Sequence, residues 1–347
     1  MWVNHWGVGI MNKNLKMASR KAPRPRLPNW FRTKLPSGKE QEMFNETMDA
    51  VKDNKLHTVC QEAKCPNIHD CWSSGDATFM IAGKECTRGC RFCAVGTLKT
   101  PPPLDQEEPQ HLAEAVSSMN LRHAVITVVN RDDLEDSGAD HYKKCLDAVA
   151  TSSPEVTLEL LCSDLAGDVE ALAHLLDSSP LVVFAHNVEC VPRLDSVVRD
   201  PRASFEQSIM ILREAKRLRP DMITKSSIMV GVGETDEEVL EAMQLLRDAN
   251  VDLLTIGQYL APSKNHLAVD RFPEPEMYDI WAEAAIEMGF SGVACGPLVR
   301  SSYKAGLLMR KTLDTTNQEE MPGAYVKVQP IAIHQHPLNP SHGEVNQ

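Results

Sequence analysis

Six of the ten cysteines in this 347-residue chain lie close together in the sequence, in two triplets with different spacings. The first triplet follows the pattern C-x4-C-x5-C, and the second follows C-x3-C-x2-C. Their members are Cys60, Cys65 and Cys71 in the first triplet and Cys86, Cys90 and Cys93 in the second. Thiolates are soft ligands that select zinc, cuprous copper or iron–sulfur clusters. Thiols crowded in this way therefore predict a metal centre.

The spacing of the triplets favours iron–sulfur clusters over zinc. Structural zinc usually takes its four ligands from two C-x2-C pairs, and two-cluster ferredoxins use C-x2-C-x2-C-x3-C-P; the sequence contains neither arrangement. Three thiolates can hold three irons of a four-iron cluster and leave the fourth iron open, as catalytic zinc keeps a position for substrate. The second triplet accordingly predicts a four-iron cluster that binds a small molecule.

The elements that must position these cysteines are predicted by alternation along the chain. Apolar, β-rich runs alternate with helical stretches, and the runs cover 78–83, 123–129, 156–161, 181–187, 222–230 and 251–259. This alternation predicts a parallel sheet covered by helices, so the fold class is α/β, and six units suit a partial (β/α)6 barrel of the TIM type. A doubly wound open sheet is the alternative. In both folds, ligands bind at the carboxyl ends of the strands.

Several helices have recognisable start signals. Asp105, Ser204 and Thr235 each precede a helical stretch and are followed three residues later by Glu or Gln, which is the pattern of a capping box. A last helix is predicted over 275–288. The tail from 311 to 347 is polar and proline-rich, and its composition predicts disorder.

Composition and charge limit the class of protein. No apolar run reaches the eighteen residues of a membrane span, and the first residues do not form a secretory signal, so the thiols predict metal binding and not disulfides. Residues 1–39 carry nine Lys or Arg and no acid, while the whole chain carries −12, which leaves the remainder near −21. The acidic body argues against nonspecific nucleic-acid binding. The basic arm can be a solvated tail, an organelle-targeting segment or a contact for an acidic partner.

The second triplet, on the loop after the first strand of a predicted barrel, resembles that of radical S-adenosylmethionine (SAM) enzymes. The first triplet narrows the resemblance to the lipoyl synthase family. The matching stretches are "TVCQEAKCPNIHDCW", "CTRGCRFC", "PPPLDQEEP", "FAHNVE", "TKSSIMVGVGETDEEV" and "GPLVRSSY". They follow the family's order and spacing, and the resemblance covers roughly residues 26–306.

The resemblance implies two 4Fe-4S clusters and SAM as cofactors. In the family, the second triplet binds the cluster whose open iron chelates SAM, so Cys86, Cys90 and Cys93 match the catalytic positions. The first triplet and the second serine of the R-S-S-Y motif hold an auxiliary cluster, and that serine is Ser302 here. SAM cleavage yields a 5′-deoxyadenosyl radical, which allows sulfur insertion at carbons six and eight of an octanoyl-lysine. The auxiliary cluster is the sulfur donor.

The resemblance also implies partners, whereas the basic arm is the reason for keeping an alternative compartment open. The substrates are octanoylated lipoyl carrier domains, such as 2-oxoacid dehydrogenase acyltransferase subunits and the glycine cleavage H protein. We expect an electron donor, such as ferredoxin or flavodoxin, and an iron–sulfur cluster carrier as further partners. We expect no binding to nucleic acid or to a membrane. We expect the chain in the cytoplasm, with the mitochondrial or plastid matrix as the alternative.

Five residues outside the cysteines are candidate SAM contacts. Glu159 and Asn187 stand at or after predicted strands, and a structural ion pair is the alternative for Glu159. Gly231, Gly233 and Glu234 form the turn "GVGE", where glycines can let the backbone approach SAM or can simply make a turn before a helix.

The chain is expected to divide into five parts. These are a flexible arm (1–39), an extension with the auxiliary-cluster ligands (40–77), the radical SAM barrel (78–295), a segment with the RSSY motif (296–310) and the tail (311–347). Three other functions stay open at this point: another sulfur-inserting radical SAM enzyme, a two-cluster electron-transfer protein, and a zinc-binding interaction module.

Overall fold

A sheet with a parallel core, surrounded by helices, forms the body of the computed structural model. The structure describes residues 26–31, 35–53, 57–63, 65–73, 77–119, 121–314, 321 and 323–329. Most of the predicted arm (residues 1–25 and 32–34) and much of the predicted tail (315–320, 322 and 330–347) lie outside the described residues.

The strands are short and lie mostly in one sheet. They are β1 (His57–Thr58), β2 (Thr78–Ile81), β3 (Glu85–Cys86), β4 (Gly96–Thr97), β5 (His123–Val128), β6 (Thr157–Leu161), β7 (Leu181–Ala185), β8 (Ile223–Val230), β9 (Leu253–Gln258), β10 (Gly292–Gly296) and β11 (Tyr325–Val328). The large sheet has the order β1-β2-β5-β6-β7-β8-β9-β10-β11, and β3 pairs with β4 separately. From β2 to β10 every pairing is parallel, whereas β1 and β11 are antiparallel edge strands.

The order of the strands distinguishes between the two predicted folds. In the parallel part, the spatial order follows the chain order without a reversal. A doubly wound sheet reverses its order at a switch point, whereas a barrel does not, so the fold is a partial TIM-type barrel. All six predicted strands are confirmed. The seventh parallel strand, β10, was not predicted because Gly292–Gly296 has glycine at both ends and a single β-branched residue.

The helices pack outside the sheet, apart from those at the two chain ends. They are α1 (Lys39–Asp53), α2 (Val59–Glu62), α3 (Ile68–Ser73), α4 (Glu108–Ser118), α5 (Ala139–Ser152), α6 (Val169–Leu176), α7 (Asp195–Val198), α8 (Phe205–Leu218), α9 (Asp236–Asp248), α10 (Pro275–Glu287) and α11 (Ala305–Leu313). In the described part of the chain, no helix combines the length and apolar character needed to cross a membrane.

The predicted helix starts are confirmed at two of three places. Thr235 and Glu238 form a complete capping box at α9, and the Ser204 side chain accepts a hydrogen bond from the backbone of Gln207 at α8. The prediction at Asp105 is wrong, because α4 begins at Glu108 with Glu107 at its N-cap. The Glu108 carboxylate instead accepts a hydrogen bond from the backbone N–H of Ala82 at 2.7 Å, which ties the helix to the end of β2.

The disorder predicted after residue 311 is also wrong for part of that segment. Helix α11 continues to Leu313, and β11 pairs with β10 as an antiparallel edge strand. A polar composition is compatible with this role because an edge strand buries little of its surface, and all four residues of β11 are half-buried. Helix α11 packs Met309 against Ile223 and Leu253, the first residues of β8 and β9, and against Val183 in the middle of β7. It therefore covers the amino end of the barrel.

Candidate active site

One cavity brings both cysteine triplets together. Its volume is about 500 Å³, and all six cysteines and Ser302 line it. Val128, Leu161 and Gln258 line it at the carboxyl ends of their strands, and His123 lines it at the start of β5. The cavity therefore extends from the carboxyl ends of the strands into the barrel interior, in agreement with the expected position of ligands in this fold.

The second triplet is held by hydrogen bonds between loops that are distant in sequence. The Thr87 backbone N–H donates to the carbonyl of Asn130 at 3.0 Å, and the Gly89 backbone N–H donates to the Asp200 carboxylate at 2.8 Å. His266, in the loop after β9, hydrogen bonds the carbonyl of Cys93 at 3.0 Å. These contacts fix the loop from three sides.

Arg88, between Cys86 and Cys90 in the sequence, anchors the same loop by buried ion pairs. Its guanidinium donates to both oxygens of Asp132 at 2.6 to 3.1 Å and to Asp164 at 2.7 Å. Only 3% of its side chain is exposed. Burial lowers the pKa of Arg88, but the hydrogen bonds to the two carboxylates outweigh it and raise the pKa above the ordinary value for arginine.

The second triplet fits an iron–sulfur cluster by its chemistry. Backbone N–H groups of Arg88 and Asp200 donate to the sulfurs of Cys86 and Cys90, each at 3.4 Å, and such hydrogen bonds tune cluster sulfurs. Burial raises the pKa of Cys90 to about 11 and that of Cys93 to about 12, so both are neutral thiols at pH 7. A bound metal cation deprotonates a coordinating thiol, and a site of buried thiols that accept N–H bonds suits such a cation.

The first triplet lies in the N-terminal segment, and Ser302, from the C-terminal segment, lines the same cavity. Cys60 lies in α2 and Cys71 in α3, and both are buried, with burial raising the pKa of Cys60. Ser302 lies in the loop between β10 and α11. The two segments meet directly, because the side chain of Asn67 donates to the carbonyl of Leu298 at 2.6 Å.

Of the predicted SAM contacts, Asn187 lines the cavity. Its amide N–H donates to Glu189 at 3.2 Å, and within the described part of the chain its carbonyl oxygen is buried without a hydrogen-bond partner. A buried, unsatisfied acceptor at a cavity wall is a suitable position for a ligand donor.

The prediction for Glu159 is not supported by its position. Glu159 does not line the cavity, its side chain is 1% exposed, and its carboxylate accepts from the Lys225 ammonium at 2.7 Å. His123 Nε2 lies 3.5 Å from the other carboxylate oxygen. Burial opposes ionisation, but the charges of Lys225 and His123 lower the pKa of Glu159 below its ordinary value. Glu159 therefore takes the role of a structural ion pair.

The prediction for the "GVGE" turn is likewise not supported by its position. Gly231, Gly233 and Glu234 are not part of the cavity lining. The Glu234 carboxylate accepts from the backbone N–H groups of Gly231 and Val232 at 2.7 and 2.9 Å, so the turn is closed on itself. Gly231 has a φ of +89°, and a Cβ there would lie 2.0 Å from Gln258 Nε2. Close packing therefore explains this glycine without any ligand.

Glu189, which was not predicted from the sequence, lines the cavity together with Asn187. Its backbone has a φ of +67°, an uncommon value for a residue other than glycine, and burial raises the pKa of its carboxyl group. The available signal was its position two residues after Asn187 in "FAHNVE", behind the polar end of a strand. A buried acid of this kind suits a cationic ligand.

Comparisons with known proteins agree with this geometry. Residues 80–246 match the model of the radical SAM superfamily, and residues 9–65 match the N-terminal domain of lipoyl synthase of the radical SAM family. Mitochondrial lipoyl synthase from Bos taurus is 47% identical over 305 residues, which cover 86% of this chain and 80% of the relative. Lipoyl synthase from Halorhodospira halophila is 50% identical, covering 82% of this chain and 84% of the relative.

A third relative, chloroplastic lipoyl synthase from Arabidopsis thaliana, is 49% identical and covers 84% of this chain and 74% of the relative. The names mitochondrial and chloroplastic contradict the cytoplasm as the expected compartment. Relatives of this identity cover most of the chain and include both the N-terminal cysteine segment and the barrel. The chain belongs to the lipoyl synthase family of radical SAM enzymes.

Proposed function

We propose that this chain inserts two sulfur atoms at carbons six and eight of a protein-bound octanoyl-lysine and so forms a lipoyl group. The observation that carries the proposal is the cavity that all six cysteines and Ser302 line together. Family membership gives the class of enzyme, a radical SAM sulfur transferase that uses SAM and 4Fe-4S clusters.

The residues of the cavity divide into two proposed ligand sets. Cys86, Cys90 and Cys93 would hold the cluster that binds SAM, and Cys60, Cys65 and Cys71 with Ser302 would hold the auxiliary cluster. When bound, the clusters supply the electron that cleaves SAM and the sulfur that is inserted. Asn187 would donate to or accept from the polar groups of SAM, and the Glu189 carboxylate would pair with its ammonium group.

The protein's own part is to position the substrate and to exclude water. The saturated carbons of an octanoyl chain carry no acidic proton, so the chain must be held by apolar contact. The cavity lining offers Met80, Val125 and Leu161 for that purpose. Helix α11 covers the amino end of the barrel, which limits access of water from that side while a radical exists.

Partners follow from the substrate. The enzyme acts on a lipoyl carrier protein, and we propose the acyltransferase subunits of 2-oxoacid dehydrogenases and the glycine cleavage H protein as carriers. A ferredoxin or flavodoxin would supply electrons, and an iron–sulfur carrier would rebuild the auxiliary cluster. The relatives' names favour the mitochondrial or plastid matrix as the compartment.

The test is anaerobic reconstitution followed by iron counting and turnover. Two four-iron clusters predict about eight irons per chain. Triple Cys→Ala variants of either triplet should retain about four irons, whereas Cys295→Ala, at a buried cysteine outside the cavity, should retain all of them. Wild type with octanoyl-lysine peptide, SAM and dithionite should yield lipoyl product and 5′-deoxyadenosine. Zinc in place of iron, or two clusters without SAM cleavage, would refute the proposal.

A further inference from the structure

Asp70 and Tyr303 form a contact between the two segments that contribute the auxiliary ligands. The Tyr303 hydroxyl donates to Asp70 Oδ2 at 2.8 Å, across 233 residues of sequence. Asp70 immediately precedes Cys71 in α3, and Tyr303 immediately follows Ser302. The Lys304 ammonium lies 3.7 Å from the same carboxylate oxygen. Two charge-assisted contacts therefore meet beside the proposed serine ligand.

The surroundings of Tyr303 make this contact rigid. Its side chain belongs to a buried apolar cluster with Cys60, Cys71 and Trp72, and Tyr303 is 7% exposed. On the other side of Ser302, buried Asn67 donates to the carbonyl of Leu298. The serine loop is thus tied to the cysteine segment both before and after Ser302.

The loop has few other constraints from regular structure. Between β10 and α11, turns are closed by hydrogen bonds from Val299 N to Gly296 O at 3.1 Å and from Tyr303 N to Arg300 O at 2.9 Å. Lys304, at the N-cap of α11, has a left-handed φ of +46°. The position of the serine hydroxyl therefore depends on the contacts that Tyr303 and Asn67 make with the N-terminal segment.

We infer that Asp70 and Tyr303 are positioning residues that hold the Ser302 hydroxyl within reach of the first cysteine triplet. The inference rests on the proposed function. A serine oxygen is a hard ligand on a soft cluster, so its bond to iron is weak and depends on how well the oxygen is placed beforehand. Removing the contact would free the serine corner and leave the three cysteines in place.

The experiment measures release of iron from reconstituted enzyme to a chelator under anaerobic conditions. Tyr303→Phe keeps the buried ring and removes only the hydroxyl, and Asp70→Asn keeps the shape and removes the charge. Both variants should reconstitute to wild-type iron content and cleave SAM at the wild-type rate. Losing a hydrogen bond to a charged group should speed release of the auxiliary iron roughly tenfold in Tyr303→Phe and less in Asp70→Asn.

A matched control separates this effect from general loss of a surface ion pair. Asp279 has 42% of its side chain exposed, against 44% for Asp70, and each lies 3.7 Å from a lysine ammonium. Asp279 lies in α10 and its lysine partner, Lys327, lies in β11, so neither residue adjoins a proposed cluster ligand, and Asp279→Asn should release iron at the wild-type rate.

A double variant tests whether Tyr303 acts through the serine. Ser302→Ala alone should release the auxiliary iron rapidly, and adding Tyr303→Phe should bring no further increase. The inference would be overturned if the two substitutions had additive effects, or if Tyr303→Phe released iron at a rate within twofold of wild type. Either result would leave the proposed function intact. A wild-type protein that holds only four irons would overturn both the inference and the proposed function.

Discussion

The strongest test of the site is to replace Arg88 by methionine. Arg88 is the residue that connects the loop of the second triplet to the ends of β5 and β6, through Asp132 and Asp164. Methionine has a similar length and removes the charge and every hydrogen bond of the guanidinium. We expect lower stability together with loss of the iron held by the second triplet.

The magnitude follows from the burial of the two carboxylates. Asp164 is 1% exposed and Asp132 is 15% exposed, and breaking a buried ion pair on one side costs about 3–5 kcal/mol. Both carboxylates keep another donor, because Gln207 Nε2 lies 2.7 Å from Asp164 and the Thr87 hydroxyl lies 2.6 Å from Asp132. The low end of that range, about 3 kcal/mol, is therefore expected.

The pKa of Asp164 predicts how the destabilisation caused by Arg88→Met depends on pH. Burial raises the pKa of Asp164, but hydrogen bonding by Arg88 and nearby positive charge outweigh it, so the net pKa is lowered. A carboxylate with a lowered folded pKa stabilises the protein above its unfolded pKa, and this stabilisation is lost as the pH falls through the folded value. The destabilisation caused by Arg88→Met should thus be largest near neutral pH and smaller in the double variant with Asp164→Asn.

The assay is anaerobic urea unfolding combined with iron counting. Arg131→Met is the matched control, since Arg131 is also buried, donates to both oxygens of Asp133 at 2.9 Å and bonds two carbonyls. Both variants should lose stability, but only Arg88→Met should drop from about eight irons to about four. Loss of less than 1 kcal/mol with full iron content in Arg88→Met would refute the reasoning.

Three further outcomes are expected. Gly231→Ala should destabilise the protein by about 2 kcal/mol or more in urea unfolding, because φ is positive and the new Cβ would clash with Gln258. At Gly233 a new Cβ would meet no atom within 4 Å, so Gly233→Ala should cost only the backbone strain of a positive φ. Equal effects of the two substitutions would contradict this prediction. Glu189→Gln should raise stability at neutral pH, because burial raises the pKa of Glu189 and ionisation of its carboxyl group opposes folding. The same variant should bind SAM about tenfold more weakly in anaerobic equilibrium dialysis. Unchanged SAM affinity would exclude an ion pair between Glu189 and the SAM ammonium group. Burial lowers the pKa of His186 to about 4, so this side chain stays neutral in the folded state while the unfolded state takes up a proton. The free energy of unfolding of wild type should therefore fall by about 1 kcal/mol between pH 7 and 5.5. A His186→Asn variant should lose less over the same interval.

The sequence predicted what depends on local pattern. The run at 78–83 and the five that follow it became the parallel strands because apolar periodicity is a property of a short stretch. The spacing of the cysteines predicted two cluster-binding triplets, and this assignment stays a prediction, although all six thiols line one cavity.

What the sequence did not predict depends on partners that are distant in the chain. Glu159 is an ion pair because folding places Lys225 2.7 Å away, 66 residues later. Gly231 is required because the side chain of Gln258 packs against its α-carbon. In the sequence, Arg88 is an intervening residue of the second cysteine triplet, and its two carboxylate partners lie 44 and 76 residues away. A charge pattern along the chain does not specify such pairings, because each depends on how the strands are arranged.

The open edges of the sheet explain why the proposed auxiliary ligands come from both ends of the barrel sequence. Strand β1 pairs with β2 at one edge, and Cys60 follows it by two residues; β11 pairs with β10 at the other edge, and the loop after β10 carries Ser302. A closed barrel would have its edges joined by hydrogen bonds, whereas here the segments from the two edges meet through the Tyr303–Asp70 contact and a shared apolar cluster. Sheet pairing therefore fixes where each segment begins, and side-chain contacts decide how far apart the serine and the cysteines lie. The proposed ligand set, held in this way, would open at the serine without disturbing the barrel, which is the property a sacrificed sulfur source requires.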